Sequence, residues 1–509
     1  MKQKTIILAI VMATLLSGCS PLLRGPGDRL DYIQQASDKY LRSIYLKGSS
    51  WSIMAVDLES GRIILNRDSD RMLIPASNMK LLTTACALET LGPDYRIPTL
   101  VGYRGEVDSS GVLHGDLEVI GFGDPTVSTR YTGVYSDARE MSPQDRFTAW
   151  ADSVISRGIY QIEGNLVGYD DLSISRTLGA DWAWNDLKYW YAAEISPFIY
   201  TDGCLEITVT PGDSVGDVAS VSWDPDIDIV DIYDEVLTVA ADAEPELHFD
   251  RALENNIVTV WGSIPLGSEP EKLWVAVYNA QNYFMAALRE ALEDKGILIS
   301  GSAIPAHKAW TDDAQFNPLF THNSPPLSSI IRIINRDSQN LYAEMLLRIL
   351  GSEMIRQGDP SVAGDNDPFI AGRNKVRSWE SSMVGFSRGF AMIDGSGLSR
   401  RNLNSASGLI KILVHMNRSP YRSQFIHSLA TPGQGTLRYR FLGLPQGIRL
   451  YAKSGTMNRV RSLSGYISTT EEPRIAFSMI CNNYLCDSSE IEATMENLCQ
   501  LLALYLKES

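Results

Sequence analysis

The stretch Pro75-Ala76-Ser77-Asn78-Met79-Lys80-Leu81-Leu82-Thr83-Thr84-Ala85-Cys86 decides how the rest of the chain is read. From Asn78 the apolar positions Met79, Leu82 and Cys86 keep helical spacing, Pro75 stands before the start, and Gly92-Pro93 closes the run. The pattern predicts a buried helix with Ser77 at its first turn. A lysine three positions after a serine on a helix projects from the same face one turn on, so Ser77 and Lys80 can meet. Just upstream, Ser52-Ile53-Met54-Ala55-Val56, a turn at Ser60-Gly61 and Arg62-Ile63-Ile64-Leu65 read as a hairpin.

An S-x-x-K alone is a weak signal, because a chain of this length contains about one by chance. Two further motifs follow it in order, Ser338-Gln339-Asn340 and Lys453-Ser454-Gly455-Thr456. A serine hydroxyl is a poor nucleophile until something takes its proton. Lys80 can do so when neutral, which calls for burial and a neighbouring cation, and Lys453 is the candidate cation. The backbone N–H groups of Ser77 and Thr456 would complete an oxyanion hole. Ser338 can relay a proton between Lys80 and a leaving amine, and Asn340 can hold a substrate amide. The strand segment Lys453, Ser454, Gly455 and Thr456 can hold a terminal carboxylate. Taken alone, Ser338-Gln339-Asn340 would read as a helix N-cap.

Arg449 to Lys453, Ser462 to Ser468 and Arg474 to Cys481 read as strands of one antiparallel meander, and Asn340 to Leu350, Ala406 to Met416 and Ile491 to Leu506 as helices. Residues 28–97 and 301–509 are therefore expected to form one α/β domain. It is split around residues 98–300, where short apolar runs separated by Gly, Pro and Asp indicate a mainly β insert of two domains. Asn279 to Lys295 reads as a helix that fits either side of that boundary. The acids between Asp224 and Glu246 fall on a solvated strand face, with calcium binding the lesser alternative. Gly212-Asp213-Ser214-Val215-Gly216 fits a nucleophile elbow, but a strand-like segment with Pro225 follows where a helix is needed, so it reads as a turn.

A net charge of −16 argues against nucleic acid as a partner. At the N-terminus, Met1-Lys2-Gln3-Lys4 and the apolar run Ile6 to Leu16 form an export signal too short to span a bilayer. Leu16-Ser17-Gly18-Cys19 resembles the lipobox of bacterial lipoproteins; residues 1–19 then read as a lipoprotein signal segment in which Cys19 is acylated, becomes the mature N-terminus and tethers the protein to a membrane, each buried methylene contributing about 0.8 kcal/mol. The remaining Cys86, Cys204, Cys481, Cys486 and Cys499 match no zinc spacing and read as buried small hydrophobes, a Cys481 to Cys486 bridge being left open. The histidines, His114, His248, His307, His322, His415 and His427, form no ligand pair of helical spacing, so no metal and no cofactor are expected.

With these motifs in view, the chain resembles the class C low-molecular-mass penicillin-binding proteins, the D-alanyl-D-alanine carboxypeptidase/endopeptidase family. The likeness also takes in Gly121-Phe122-Gly123-Asp124-Pro125-Thr126, Trp182-Ala183-Trp184-Asn185-Asp186, Asp394-Gly395-Ser396-Gly397-Leu398-Ser399-Arg400 and Gly435-Thr436-Leu437. It implies a split transpeptidase/β-lactamase-like domain and a serine DD-peptidase acting on peptidoglycan stem peptides in the cell envelope, on the periplasmic side, open to acylation by β-lactams. It places Arg400 near the substrate's peptide side chain and an aspartate for the diaminopimelate amine at Asp170 or Asp171, where Tyr169 disturbs the register. A β-lactamase or esterase with the same motifs, and a non-catalytic β-lactam or muropeptide receptor, are the competing readings.

Overall fold

The computed structural model describes residues 26–128, 141–172, 174–306, 315–384 and 389–507. Cys19 with its export signal, and His307, lie outside the described residues. A five-stranded antiparallel sheet built from both ends of the chain organises the catalytic half. The hairpin strands β1 (Ser50–Asp57) and β2 (Ile63–Arg67) lie beside the C-terminal meander β3 (Arg449–Met457), β4 (Val460–Ser468) and β5 (Ile475–Asn482), in the order β3-β4-β5-β1-β2. Strand β5 is buried along its whole length, which explains its run Ile475-Ala476-Phe477-Ser478-Met479-Ile480-Cys481: helices cover both faces, so alternation gives way to continuous apolarity.

On one face the terminal helices α1 (Pro26–Leu41) and α7 (Ser488–Lys507) close a core that includes Ile53, Phe477, Leu498 and Leu502. On the other lie α2 (Lys80–Leu91), α3 (Leu327–Arg336), α4 (Asn340–Gln357), α5 (Pro368–Val384) and α6 (Ala406–Arg418), sharing a second core that includes Leu82, Ile331, Leu346 and Leu413. Cys481 and Cys486 are both free thiols and form no bridge with each other.

The insert leaves the catalytic half at Pro98, and its mixed seven-stranded sheet runs well past residue 300. Residues 317–323 pair antiparallel with 98–103, setting Asn323 opposite Pro98. The chain leaves this sheet at Asn323, directly beside its entry at Pro98. The closing strands Ala303–Ala306 and Asn317–Asn323 are short, and the second carries Asn317, Pro318, His322 and Asn323, which hides the period-two signal. The helix Ala280–Asp294 belongs to the insert, burying Tyr283, Phe284 and Met285 in a core that also holds residues of two further three-stranded sheets, among them Leu205 and Val258. Gly212 to Gly216 lies in the turn between the paired strands Cys204–Thr210 and Ser220–Asp224.

Candidate active site

Ser77 lies on a 3₁₀ turn, Ala76–Met79, that runs directly into α2, one turn earlier than a regular helix would begin. Ala76 holds φ 46, a left-handed conformation unfavourable for a residue with a Cβ, and the sheet clamps the turn in place. Asn482 of β5 both donates to the carbonyl of Ile74 and accepts from its N–H, at 3.0 and 2.8 Å. The Ser462 hydroxyl donates to the Pro75 carbonyl at 2.6 Å, and Asn78 donates to Ser464 at 2.8 Å. Gly455 lets β3 pass over the turn: a Cβ there would sit 3.0 Å from the Ser77 nitrogen and 2.9 Å from the Pro75 oxygen. The Ser77 nitrogen therefore lies against the backbone of β3 at Gly455.

Behind Ser77, the fully buried Lys80 donates to Ser77 Oγ at 2.9 Å, to Asn340 Oδ1 at 2.5 Å and to the Ser396 carbonyl at 2.7 Å. Of these three acceptors only the Ser77 hydroxyl carries a proton it can give up. Asn340 is engaged at its other end too, its Nδ2 donating to the Tyr191 carbonyl of the insert at 2.7 Å. The Asn340 amide thus ties Lys80 to the insert. The N-cap reading of the second motif falls on Gln339, whose side chain accepts from the Leu341 N–H, while Ser338 is held at φ 65. Ser338 accepts from Lys453 Nζ at 2.9 Å, and Lys453 also donates to the Ser454 carbonyl. The Ser454 hydroxyl donates to Thr436 Oγ1 at 2.7 Å. Thr456 lies on the exposed edge of β3.

Both lysines are fully buried, and burial is the main force on each. It brings Lys80 down to about 7, against the opposing pull of the Asp394 and Glu344 carboxylates, and holds Lys453 well below the ordinary lysine range, helped by Lys80 itself. The cation expected to depress Lys80 is therefore secondary to desolvation, and the repulsion between the two ammonium groups falls on Lys453. Charge on Lys80 therefore disfavours charge on Lys453.

The model of the D-Ala-D-Ala carboxypeptidase 3 (S13) family matches residues 33–505, spanning all three motifs and the insert between them. The chain belongs to the S13 family. This S13 peptidase is 30% identical over 501 residues to a D-alanyl-D-alanine carboxypeptidase of Actinomadura sp. strain R39, covering 94% of this chain and 86% of the relative. Its fold matches the crystal structure of penicillin-binding protein 4 from Haemophilus influenzae with a TM-score of 0.75 at 21% identity, over 92% of this chain and 99% of that one. The same protein complexed with a β-lactam gives a TM-score of 0.69 at 20% identity, over the same shares. The motif chemistry thus sits in a serine-type peptidase of mixed α/β fold with an additional β-rich region.

The remaining candidate residues of the S13 peptidase are placed unevenly. Arg400 is exposed and donates to the Asn458 carbonyl at 3.0 Å, beside the end of β3. Asp170 is buried and accepts from the N–H groups of Leu172 and Ile174, so its carboxylate shapes a turn, while Asp171 pairs with Arg356 of α4. The insert acid that reaches the Arg400 loop is instead Asp181, 2.9 Å from Arg401. Sequence reasoning also missed the carboxylates behind Lys80. Glu344 sits one turn after Asn340 on α4, accepting from the Ser396 N–H at 2.9 Å and from Arg348 at 3.1 Å. Asp394 accepts from Gly397, Ser399, Asn402 and Trp182, and burial together with Glu344 pushes its pKa up. The four-residue spacing of Asn340, Glu344 and Arg348 on a helix that opens at the second motif was the available signal.

Proposed function

We propose that this S13 peptidase works through a Ser77 acyl-enzyme, cleaving terminal D-Ala-D-Ala bonds and D-Ala to diaminopimelate cross-links of peptidoglycan, and that penicillin acylates the same serine. The observation that carries the proposal is the Lys80 Nζ to Ser77 Oγ contact of 2.9 Å beside a second buried lysine. A substrate whose terminal carboxylate lies on Lys453, Ser454 and Thr456 stabilises the charged form of Lys453. Repulsion then favours the neutral form of Lys80, so binding itself prepares the base. Lys80 takes the Ser77 proton as Oγ attacks the D-Ala carbonyl, and the developing oxyanion lies against the Ser77 and Thr456 N–H groups. The amine leaves with a proton delivered by way of Ser338, and water then hydrolyses the ester. Gly455 belongs to this binding strand, Arg400 and an insert carboxylate would meet the stem-peptide side chain, and no metal or cofactor enters any step.

The export signal and lipobox support a place on the periplasmic side of the envelope, tethered through Cys19. Among the described residues, no helix is long and apolar enough to cross a membrane. The test is incubation of the full chain and Ser77→Ala with purified muropeptides, alongside fluorescent penicillin. Loss of pentapeptides and cross-linked dimers, abolished by the substitution, is the expected result. Stable labelling without turnover would favour a receptor, and rapid release of penicilloate a β-lactamase.

A further inference from the structure

Away from Ser77, the insert segment 174–180 faces α4 and α5 across a cavity of about 150 Å³ lined by Arg176, Arg348, Asp367, Phe369 and Arg373 among others. Its cationic side is unusual in construction. The guanidinium groups of Arg348 and Arg373 both lie on the Phe369 ring, 4.6 and 5.4 Å from its centroid. Arg348 is buried and paired with Glu344, but the buried Nε of Arg373 has no hydrogen-bond partner among the described residues. An arginine cannot shed its proton to escape burial, so a guanidinium left short of partners keeps a charge that an anion at the cavity would offset. Arg377 and Arg401 add to the positive field here, opposed from behind by Asp394 and Glu344. The cavity's own acid, Asp367, accepts from the Phe369 N–H and the Ser175 hydroxyl, so it stiffens the wall more than it neutralises the arginines.

The cavity is joined to the nucleophile by a short chain of contacts. Arg348 donates to Glu344 at 3.1 Å, Glu344 accepts from the Ser396 N–H at 2.9 Å, and the Ser396 carbonyl accepts from Lys80 at 2.7 Å. We propose that this cavity binds a small carboxylate, held by Arg373 and Arg176 beside the Phe369 ring, and that its occupancy is felt at Lys80 through Arg348, Glu344 and Ser396. The D-alanine released by a D-Ala-D-Ala carboxypeptidase belongs to this chemical class. A bound carboxylate competes for Arg348 and leaves Glu344 freer to hold the charged form of Lys80, which slows acylation below neutral pH.

The binding part is tested by calorimetric titration of the full Ser77→Ala chain with propionate and with D-alanine in low-salt buffer, independently of any activity. Millimolar binding is expected, at least tenfold weaker in Arg373→Gln. Arg176→Glu, at an exposed position outside the packed core, should weaken it similarly if Arg373→Gln fails to fold. Equal binding of the two probes identifies the carboxylate as what is read, and tighter binding of D-alanine adds its ammonium on Asp367; either result supports the site. No binding at about 50 mM of either probe, or affinity unchanged in both variants, overturns it. The coupling rests on Lys80 as the base and is read separately, in active enzyme. Saturating propionate should move the acid limb of penicillin acylation up by about 0.3 to 1 pH unit, and an unmoved limb in a chain that binds propionate overturns the coupling alone.

Discussion

Two regions of this molecule hold pairs of cations wholly or partly out of water, and they handle the burden in opposite ways. At the nucleophile, Lys80 and Lys453 are fully enclosed, and desolvation brings both pKa values down. Beside the 174–180 segment, Arg348 and Arg373 share one aromatic ring, and the buried one is neutralised by Glu344. Lysine can respond to burial by losing its proton; arginine keeps its charge and must be given a partner. The difference separates a place where protons move from a place where charge is fixed.

The same substitution, cation to methionine, should therefore fail differently in the two regions. Lys80→Met removes the base, and the rate of penicillin acylation at Ser77, followed with a fluorescent penicillin, should drop by about 10²- to 10⁴-fold in a chain that still folds. Acylation within a few-fold of wild type would refute Lys80 as the base. Arg348→Met leaves Glu344 buried without its ion-pair partner and should lower stability in urea unfolding by about 3 to 5 kcal/mol. A loss below about 1 kcal/mol would mean that Glu344 takes up a proton or is solvated, and the contrast between the regions would collapse.

How much of this was legible beforehand follows from the range of the signals. The five strands and the helices at Lys80–Leu91, Asn340–Gln357 and Ala406–Arg418 were readable because each follows from local periodicity, whereas Leu327–Arg336 and Pro368–Val384 were not singled out; the three motifs were readable because each is short. The contacts that tune them are not local. Glu344 reaches Ser396 and Trp182 reaches Asp394 across the chain, and nothing in the neighbouring residues announces either meeting. The partners of Asn340 were not legible either, because Tyr191, to which its amide donates, belongs to the insert. The last strand of the insert sheet was hidden for the same reason: Asn317–Asn323 is a strand by virtue of pairing with residues 98–103.

A finer test uses pH. If neutral Lys80 is the active form, acylation should be half-maximal at or below about pH 7 and fall tenfold per unit beneath that point. Glu344→Gln removes a charge that favours protonated Lys80 and should carry the limb to lower pH, a shift that simple loosening of the fold would not produce. Stability should move as well. Folding lowers the pKa of both lysines, so the unfolded chain binds more protons than the native one above the folded values. Stability should then rise as pH increases from about 7 towards 10.5, the unperturbed lysine value. A urea midpoint that is flat or falling from pH 7 to 9, after the other titrating groups are allowed for, would contradict buried lysines that give up protons.

The smallest effects lie where the insert touches the Asp394 loop, and they ask whether the burial rule extends to that seam. Two neighbouring residues make the contact: Trp182 donates to buried Asp394 at 3.1 Å, and Asp181 pairs with Arg401 at 2.9 Å, where the arginine side chain is 68% exposed. The indole bond is made to a carboxylate without access to water, so Trp182→Phe should cost about 1 to 2 kcal/mol. It should also raise the pKa of Asp394 further, since that bond favours the charged form. A more neutral Asp394 supports the charged state of Lys80 less, so the acid limb should drift down. Asp181→Asn keeps the shape and removes an exposed ion pair, for which about 0.5 kcal/mol or less is expected, vanishing in salt. Should Asp181→Asn prove the more damaging substitution in unfolding experiments, solvent exposure would not be what ranks these contacts. Should it leave stability alone but change turnover of cross-linked muropeptides relative to pentapeptides, the carboxylate would be acting on the substrate rather than on the fold.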